Sequence, residues 1–138
     1  MTQKTVYVAG KVGPDLLEMH MILGVLEDMG FVIAYDWTRT GDGIQKPYLD
    51  HADTNRSFAM KMRNAADICD IFVLLPTNDI LDALIELGVA IGSTRTRPGK
   101  IIYVVYNRAD LRQSIFYTLE DVVVLDSLKE LYTALAAL

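Results

Sequence analysis

The 138-residue sequence contains few cysteines and histidines, and each scarcity excludes a class of protein. A single cysteine, Cys69, excludes an internal disulfide framework and favours a reducing compartment. Cys69 follows a helical stretch and precedes an apolar run, so we expect it in the core. The two histidines, His20 and His51, are far apart and show no H-x-x-x-H spacing. We therefore expect no metal site.

Long apolar runs and an excess of basic residues are also absent. No apolar run approaches ~18 residues, so we expect no membrane span. The first residues, MTQKTVYVAG, lack the apolar core of a signal peptide, which predicts a cytoplasmic protein. A formal net charge of −5 argues against nucleic acid or an anionic membrane surface as a partner. A small anionic ligand is still compatible, because local amides and a few basic side chains can outweigh the global charge.

The sequence is rich in short apolar segments that alternate with helical ones. Half of its residues are hydrophobic, and no linker or repeat interrupts it, which predicts one domain over residues 1–138. Near-continuous apolar runs are typical of parallel strands buried on both faces. We therefore predict an α/β fold, a doubly wound Rossmann-like or flavodoxin-like sandwich with a five-stranded parallel sheet. The predicted strands are 5–10, 31–37, 70–76, 100–106 and 121–126; the predicted helices are 14–30 (ending at Gly30), 56–69, 82–92, 108–118 and 127–138.

In such folds ligands bind at the carboxyl ends of the strands, so the loops that follow the strands are the candidate binding sites. The first loop, AGKVGPD, begins at Gly10 but lacks the G-x-G-x-x-G fingerprint and a Walker lysine, so we expect no dinucleotide cofactor. Its amides could still hold a smaller anion. A plain glycine-bearing turn explains the same residues.

The stretch DALIELGVAIG (82–92) has the apolar spacing of a buried helix, yet it carries Asp82 and Glu86 four residues apart. Like charges at this spacing cost roughly 0.2–0.5 kcal/mol. Three explanations stay open. Asp79, Asp82 and Glu86 could form a solvated stripe; Asp82 could be the helix N-cap; or the carboxylates could share a pocket in which one pKa is raised.

Four segments, VYVAG, AADICDIFVLLP, IELGVAIG and GKIIYVV, occur in an order and spacing that resembles the nucleoside 2-deoxyribosyltransferase superfamily, which includes the 2'-deoxynucleoside 5'-phosphate N-hydrolases. The resemblance covers most of the chain. Its most specific part is E-L-G-x-A, which begins at Glu86.

The resemblance implies a chemistry and a set of site residues. Glu86 matches the nucleophile that attacks C1' of the sugar, Tyr7 matches the tyrosine that orients it, and Asp70 matches an aspartate linked to handling the base. The implied ligand is a nucleoside or nucleotide, whose sugar passes to another base or to water. Relatives assemble so that neighbours complete each pocket, which implies a homodimer or larger oligomer. Methionines on the first two helices would suit such contacts.

The second loop, YDWTRTGDG, contributes further candidates for substrate binding. Trp37 could stack on a base, and Arg39, beside Asp36, could pair with a phosphate. A polar loop with one anchoring aromatic is the alternative.

The sequence departs from the family pattern just before Glu86. Members usually carry glycine at the position of Asp82, and Asp or Ser at the position of Ile80. Two alternatives to a nucleoside-processing enzyme therefore stay open: an NAD glycohydrolase, which needs the same carboxylate chemistry, and a non-catalytic nucleotide sensor.

Overall fold

The computed structural model describes residues 3–10, 16–39, 43–76, 81–106 and 113–138. Within these ranges, five parallel strands alternate with four α-helices, so the predicted α/β class and five-stranded parallel sheet are confirmed. The strands are β1 (Thr5–Ala9), β2 (Val32–Ile33), β3 (Ile71–Leu74), β4 (Ile101–Val105) and β5 (Val122–Leu125). The helices are α1 (Leu16–Asp28), α2 (Ala52–Ile68), α3 (Leu81–Ser93) and α4 (Leu128–Ala136).

The strand order is β2-β1-β3-β4-β5, which is the flavodoxin-like order of a doubly wound sheet. The chain leaves β1 toward β2 on one side, then crosses back to β3 on the other. The junction of β1 and β3, where Val6 to Ala9 pair with Ile71 to Leu74, is therefore the topological switch point.

Burial on both faces explains the apolar runs. The four residues of β3 have no exposed surface, and those of β1 from Val6 to Ala9 are equally enclosed. Helices α2 and α3 pack against each other, and α3 lies on the face of β1 that carries the Tyr7 side chain. Right-handed crossovers place α1 on the opposite face.

Helix α1 ends at a glycine, as the sequence predicts. Gly30 has φ of +96°, a conformation that glycine adopts without a steric cost. The Gly30 amide donates to Glu27 O at 2.9 Å and the Phe31 amide to Leu26 O at 3.1 Å, which is the Schellman pairing. This turn directs the chain from α1 into β2.

Several boundaries differ from the sequence prediction. The strand predicted over 31–37 pairs only at Val32–Ile33, and the helix predicted over 56–69 begins earlier, at Ala52, directly after a 3-10 helix (Leu49–His51). Of the helix predicted over 108–118, residues 108–112 lie outside the described ranges, and the rest contains a 3-10 helix at Ile115–Thr118. No helix in the described part of the chain is long and apolar enough to cross a membrane.

Candidate functional site

A tyrosine and a glutamate meet at the topological switch point. Tyr7 lies in β1 opposite Phe72 of β3, and Glu86 lies on α3, the helix that follows β3. The Tyr7 hydroxyl donates a hydrogen bond of 2.5 Å to Oε1 of Glu86. A hydrogen bond to a carboxylate is shorter and stronger than one between neutral groups. The contact joins residues 79 positions apart, so the sheet and its covering helix create it.

The surroundings of Glu86 oppose its ionisation. The pKa of its carboxyl group is raised from 4.5 to about 7: burial raises it most, the Tyr7 hydrogen bond lowers it, and the charge of Asp82 raises it. The pKa of the Tyr7 phenol is also raised, first by burial and then by Glu86. Near neutral pH, Tyr7 therefore stays protonated and can donate its hydrogen bond, whereas the Glu86 carboxyl group titrates in this range.

The sequence of α3 determines which way the Glu86 side chain points. Ala83, Leu87 and Ala90 form the buried stripe of this helix. The helix begins at Leu81, so Asp82 lies within its first turn and is not the N-cap. The Asp82 side chain is exposed. Glu86 is half-buried and bonded to Tyr7, so it is not part of a solvated stripe.

Two residues expected near this helix cannot be placed. Asp79 and Ile80 lie outside the described residues. Of the three carboxylates considered from the sequence, the structure describes Asp82 and Glu86, which lie one turn apart on α3.

Asp70 lies apart from the pair, and its role in handling the base, which the resemblance implies, stays a prediction. It immediately precedes β3, so it lies at the amino edge of the sheet, whereas ligands bind at the carboxyl edge. Its carboxylate accepts from the Thr5 amide at 2.8 Å and from the Thr5 hydroxyl at 3.2 Å. These hydrogen bonds join the beginnings of β1 and β3.

Trp37 also departs from its expected place. Its side chain is only 2% exposed, and its indole Nε1 donates to Val8 O at 2.7 Å. Val8 O points toward the β2 side, where the ladder has already ended, so the indole replaces a missing strand donor. Trp37 thus serves the core and presents no open ring face for a base.

Asp36 and Arg39 are paired with each other in the same loop. Arg39 Nε lies 3.0 Å from Asp36 Oδ2, and the Arg39 side chain is largely exposed. Asp36 also accepts hydrogen bonds from the amide and the hydroxyl of Thr38. The arginine is at the predicted edge of the sheet, but its charge is already opposed by a carboxylate.

Sequence reasoning missed the link between this loop and α1. Thr38 is buried, and its hydroxyl lies 3.1 Å from Nδ1 of His20. His20 is exposed on α1, and it closes a chain of contacts that runs from Asp36 through Thr38. No local sequence signal identifies this contact, because it depends on how α1 packs beside the loop.

Gly10 stands at the end of β1, where space is limited. A Cβ atom there would lie 2.9 Å from the terminal methyl of Met19 and 3.6 Å from Leu75 O. The Met19 methyl would have to move. The rest of the first loop, residues 11–15, lies outside the described residues, so the structure does not test whether its amides bind an anion.

Two further expectations concern the chemistry of metals and thiols. Cys69 is fully buried, as the sequence predicts. Over the described ranges, no group of three or more His, Cys, Asp and Glu side chains is arranged to hold a metal ion.

Comparisons with known proteins support the fold. No protein-family model matches the chain, and no curated protein sequence matches it. Among solved structures, the chain is similar to the Clostridium botulinum CMP N-glycosidase BcmB, with a TM-score of 0.62 and 16% sequence identity. The match covers 96% of this chain and 98% of that one. At this identity the likeness establishes a shared fold along nearly the whole chain.

Proposed function

We propose that this protein cleaves the N-glycosidic bond of a nucleoside or nucleotide, with Glu86 as the nucleophile. The observation that carries the proposal is the 2.5 Å hydrogen bond from Tyr7 to Glu86 at the β1–β3 switch point. A half-buried carboxylate, oriented by a buried phenol, is the group that attack on a sugar carbon requires. The similar fold of BcmB, a CMP N-glycosidase, supports the same class of reaction.

The chemistry follows from the geometry of the pair. Breaking the bond between C1' and the base develops positive charge on the sugar, which a carboxylate stabilises. A Glu86 oxygen bonds to C1', while the electron pair of the broken bond leaves with the base, which takes up a proton from solvent. In the second step, water or another base attacks C1', gives up a proton to solvent and releases the Glu86 carboxylate. Tyr7 holds Oε1 and leaves Oε2 to face the sugar.

The experiment is a search for free base after incubation with a panel of substrates. The panel contains deoxynucleosides, ribonucleosides, their 5'-monophosphates and NAD, each with and without a second free base as acceptor, and chromatography detects both the released base and any new nucleoside. Base release from a nucleoside or its monophosphate supports the proposal. Release from NAD alone would identify an NAD glycohydrolase, and binding without release would identify a sensor.

The nucleophile is tested by Glu86→Gln. This change keeps the size of the side chain and removes its charge, so base release should fall by several orders of magnitude. Tyr7→Phe removes only an orienting hydrogen bond, so its loss should be smaller. Glu27→Gln, at an exposed position near the end of α1, is the matched control and should leave the rate unchanged. Retained turnover in Glu86→Gln would contradict the mechanism.

A further inference from the structure

The entrance to the candidate site carries a negative charge where a helix would ordinarily attract an anion. Helix α3 begins at the carboxyl edge of β3, and the first turn of such a helix suits a phosphate group. In this chain the first turn contains Asp82, whose side chain is exposed. The carboxylate therefore opposes a second anion at the same end of the helix.

Asp82 is also close to the reacting group. Side chains four residues apart on a helix have Cβ atoms about 5–6 Å from each other, so Asp82 lies one turn from Glu86. The effect of Asp82 on the pKa of Glu86 shows the same proximity. In a nucleotide, only O4', C4', C5' and O5' separate C1' from the 5'-phosphate. When C1' approaches Glu86, the phosphate is therefore held within the range of both carboxylate charges.

Two described arginines toward this edge are already paired with carboxylates. Arg56, near the start of α2, lies 3.1 Å from Asp53. Arg39 is paired with Asp36 at 3.0 Å. Lys100 follows α3 at the opposite edge, where it donates to Ala66 O and Asp67 O at the end of α2. The loops after β1 and β4 also contain Lys11 and Arg108, which lie outside the described residues.

We propose that Asp82 makes the site selective for unphosphorylated nucleosides over nucleoside 5'-monophosphates. This inference rests on the proposed N-glycosidic cleavage and adds the charge class of its substrate. It separates this chain from BcmB, a CMP N-glycosidase, and it gives a reason for the position at which the sequence departs from the family it resembles.

The test compares kcat/KM for each nucleoside and its 5'-monophosphate in the wild type, Asp82→Asn and Asp82→Gly. Assays at about pH 8.5 keep Glu86 ionised in every variant, so only the charge at position 82 differs. We expect the wild type to prefer the nucleoside by about tenfold, and both variants to raise the monophosphate-to-nucleoside ratio by about tenfold. Added salt should raise the same ratio in the wild type, because it screens the repulsion. Glu27→Gln removes the same charge far from the entrance and should leave the ratio within about twofold.

The outcomes separate this inference from the proposed function. Equal or better use of monophosphates by the wild type, or a ratio that Asp82→Asn does not change, would overturn the selectivity and leave the cleavage reaction standing. Base release from no member of the panel would overturn the cleavage reaction and the selectivity together. Because Asp82 is exposed, Asp82→Asn should melt close to the wild type, and this check shows that a changed ratio does not come from misfolding. Asp82→Gly should melt somewhat lower, because glycine weakens a helix, so Asp82→Asn decides the outcome.

Discussion

At the scale of single residues, the pKa of Glu86 depends on its burial and on two neighbouring side chains, Asp82 and Tyr7. Burial and Asp82 favour the neutral acid, whereas the Tyr7 hydrogen bond favours the carboxylate, and together they set the pKa at about 7. A group in this position changes charge across the physiological range. Replacing either neighbour should therefore move the ionisation of Glu86 in a known direction.

The first prediction concerns the pH profile of the reaction. Attack on C1' needs an ionised Glu86, so wild-type kcat/KM on a neutral nucleoside should rise with pH through about 7. Asp82→Asn removes a like charge and should move the rise to lower pH. Tyr7→Phe removes the hydrogen bond to the carboxylate and should move it to higher pH. A rise centred at the ordinary glutamate pKa of 4.5, unaffected by both changes, would contradict the pairing.

The second prediction concerns stability. The Glu86 carboxyl has a pKa of about 7 in the folded protein against an ordinary value of 4.5, so between these pH values the folded state binds more protons than the unfolded state. The free energy of unfolding of the wild type should therefore fall as the pH rises through this window. Glu86→Gln has no such dependence. Its stability relative to the wild type should grow by up to about 3 kcal/mol across the window, as measured by urea unfolding at a series of pH values. A difference that stays constant with pH would contradict the burial of the charge.

At the scale of structural elements, the strands β1 and β3 are joined at their amino ends by side-chain bonds as well as by the ladder. Asp70 accepts two hydrogen bonds from Thr5, and the Asp70 amide donates to Thr5 Oγ1 at 3.0 Å. The site residues Tyr7 and Glu86 depend on the position of β1 beside β3. Asp70 therefore supports the site through the sheet.

The third prediction distinguishes a structural role of Asp70 from a catalytic one. Asp70→Ala should lower the free energy of unfolding by about 1 kcal/mol, since the bonds are largely exposed, and should leave kcat/KM within about twofold. Asp67→Ala is the matched control, because its carboxylate is exposed and neighbouring. Denaturant unfolding and the base-release assay give the two readouts. A hundredfold or greater loss of kcat/KM in Asp70→Ala, with an unchanged free energy of unfolding, would show instead that Asp70 takes part in catalysis.

At the scale of the whole molecule, one helix presents an apolar stripe to solvent. Leu17, Met21 and Val25 follow each other at intervals of four residues on α1, and Leu17 and Met21 are 72% and 66% exposed. Met19, on the other side of the same helix, is in the core. The methionines expected from the sequence to serve subunit contacts thus divide between packing and exposure.

The fourth prediction is that the protein forms a homodimer or larger oligomer through this stripe. Sedimentation velocity at micromolar concentration should show an assembly in the wild type. Met21→Lys should shift it toward monomer, because a charge there opposes apolar contact. Ile115→Lys, at a 78% exposed position in the 3-10 helix Ile115–Thr118, serves as the comparison and should leave the assembly intact. A wild-type monomer under these conditions would contradict the prediction.

The sequence by itself determined the fold class and several local features. Continuous apolar runs predict strands buried on both faces, and β1, β3 and β4 lie where those runs are. Gly30 predicts the end of α1 because only the local backbone conformation is involved. The burial of Cys69 follows equally from its apolar neighbours. These features depend on residues that are close in the chain, which is why pattern and propensity are sufficient.

Only the tertiary structure decided which side chains meet. Asp70 looked like a site residue but lies at the amino edge, because parallel strands begin and end at opposite edges of the sheet. Trp37 looked like a binding surface but fills the place of a missing strand donor beside Val8. Glu86 and Tyr7 come together across 79 residues, and the raised pKa arises from burial that no local pattern encodes. Burial and long-range contact are properties of the packed sheet and helices, so the chemistry of this site exists only once they have assembled.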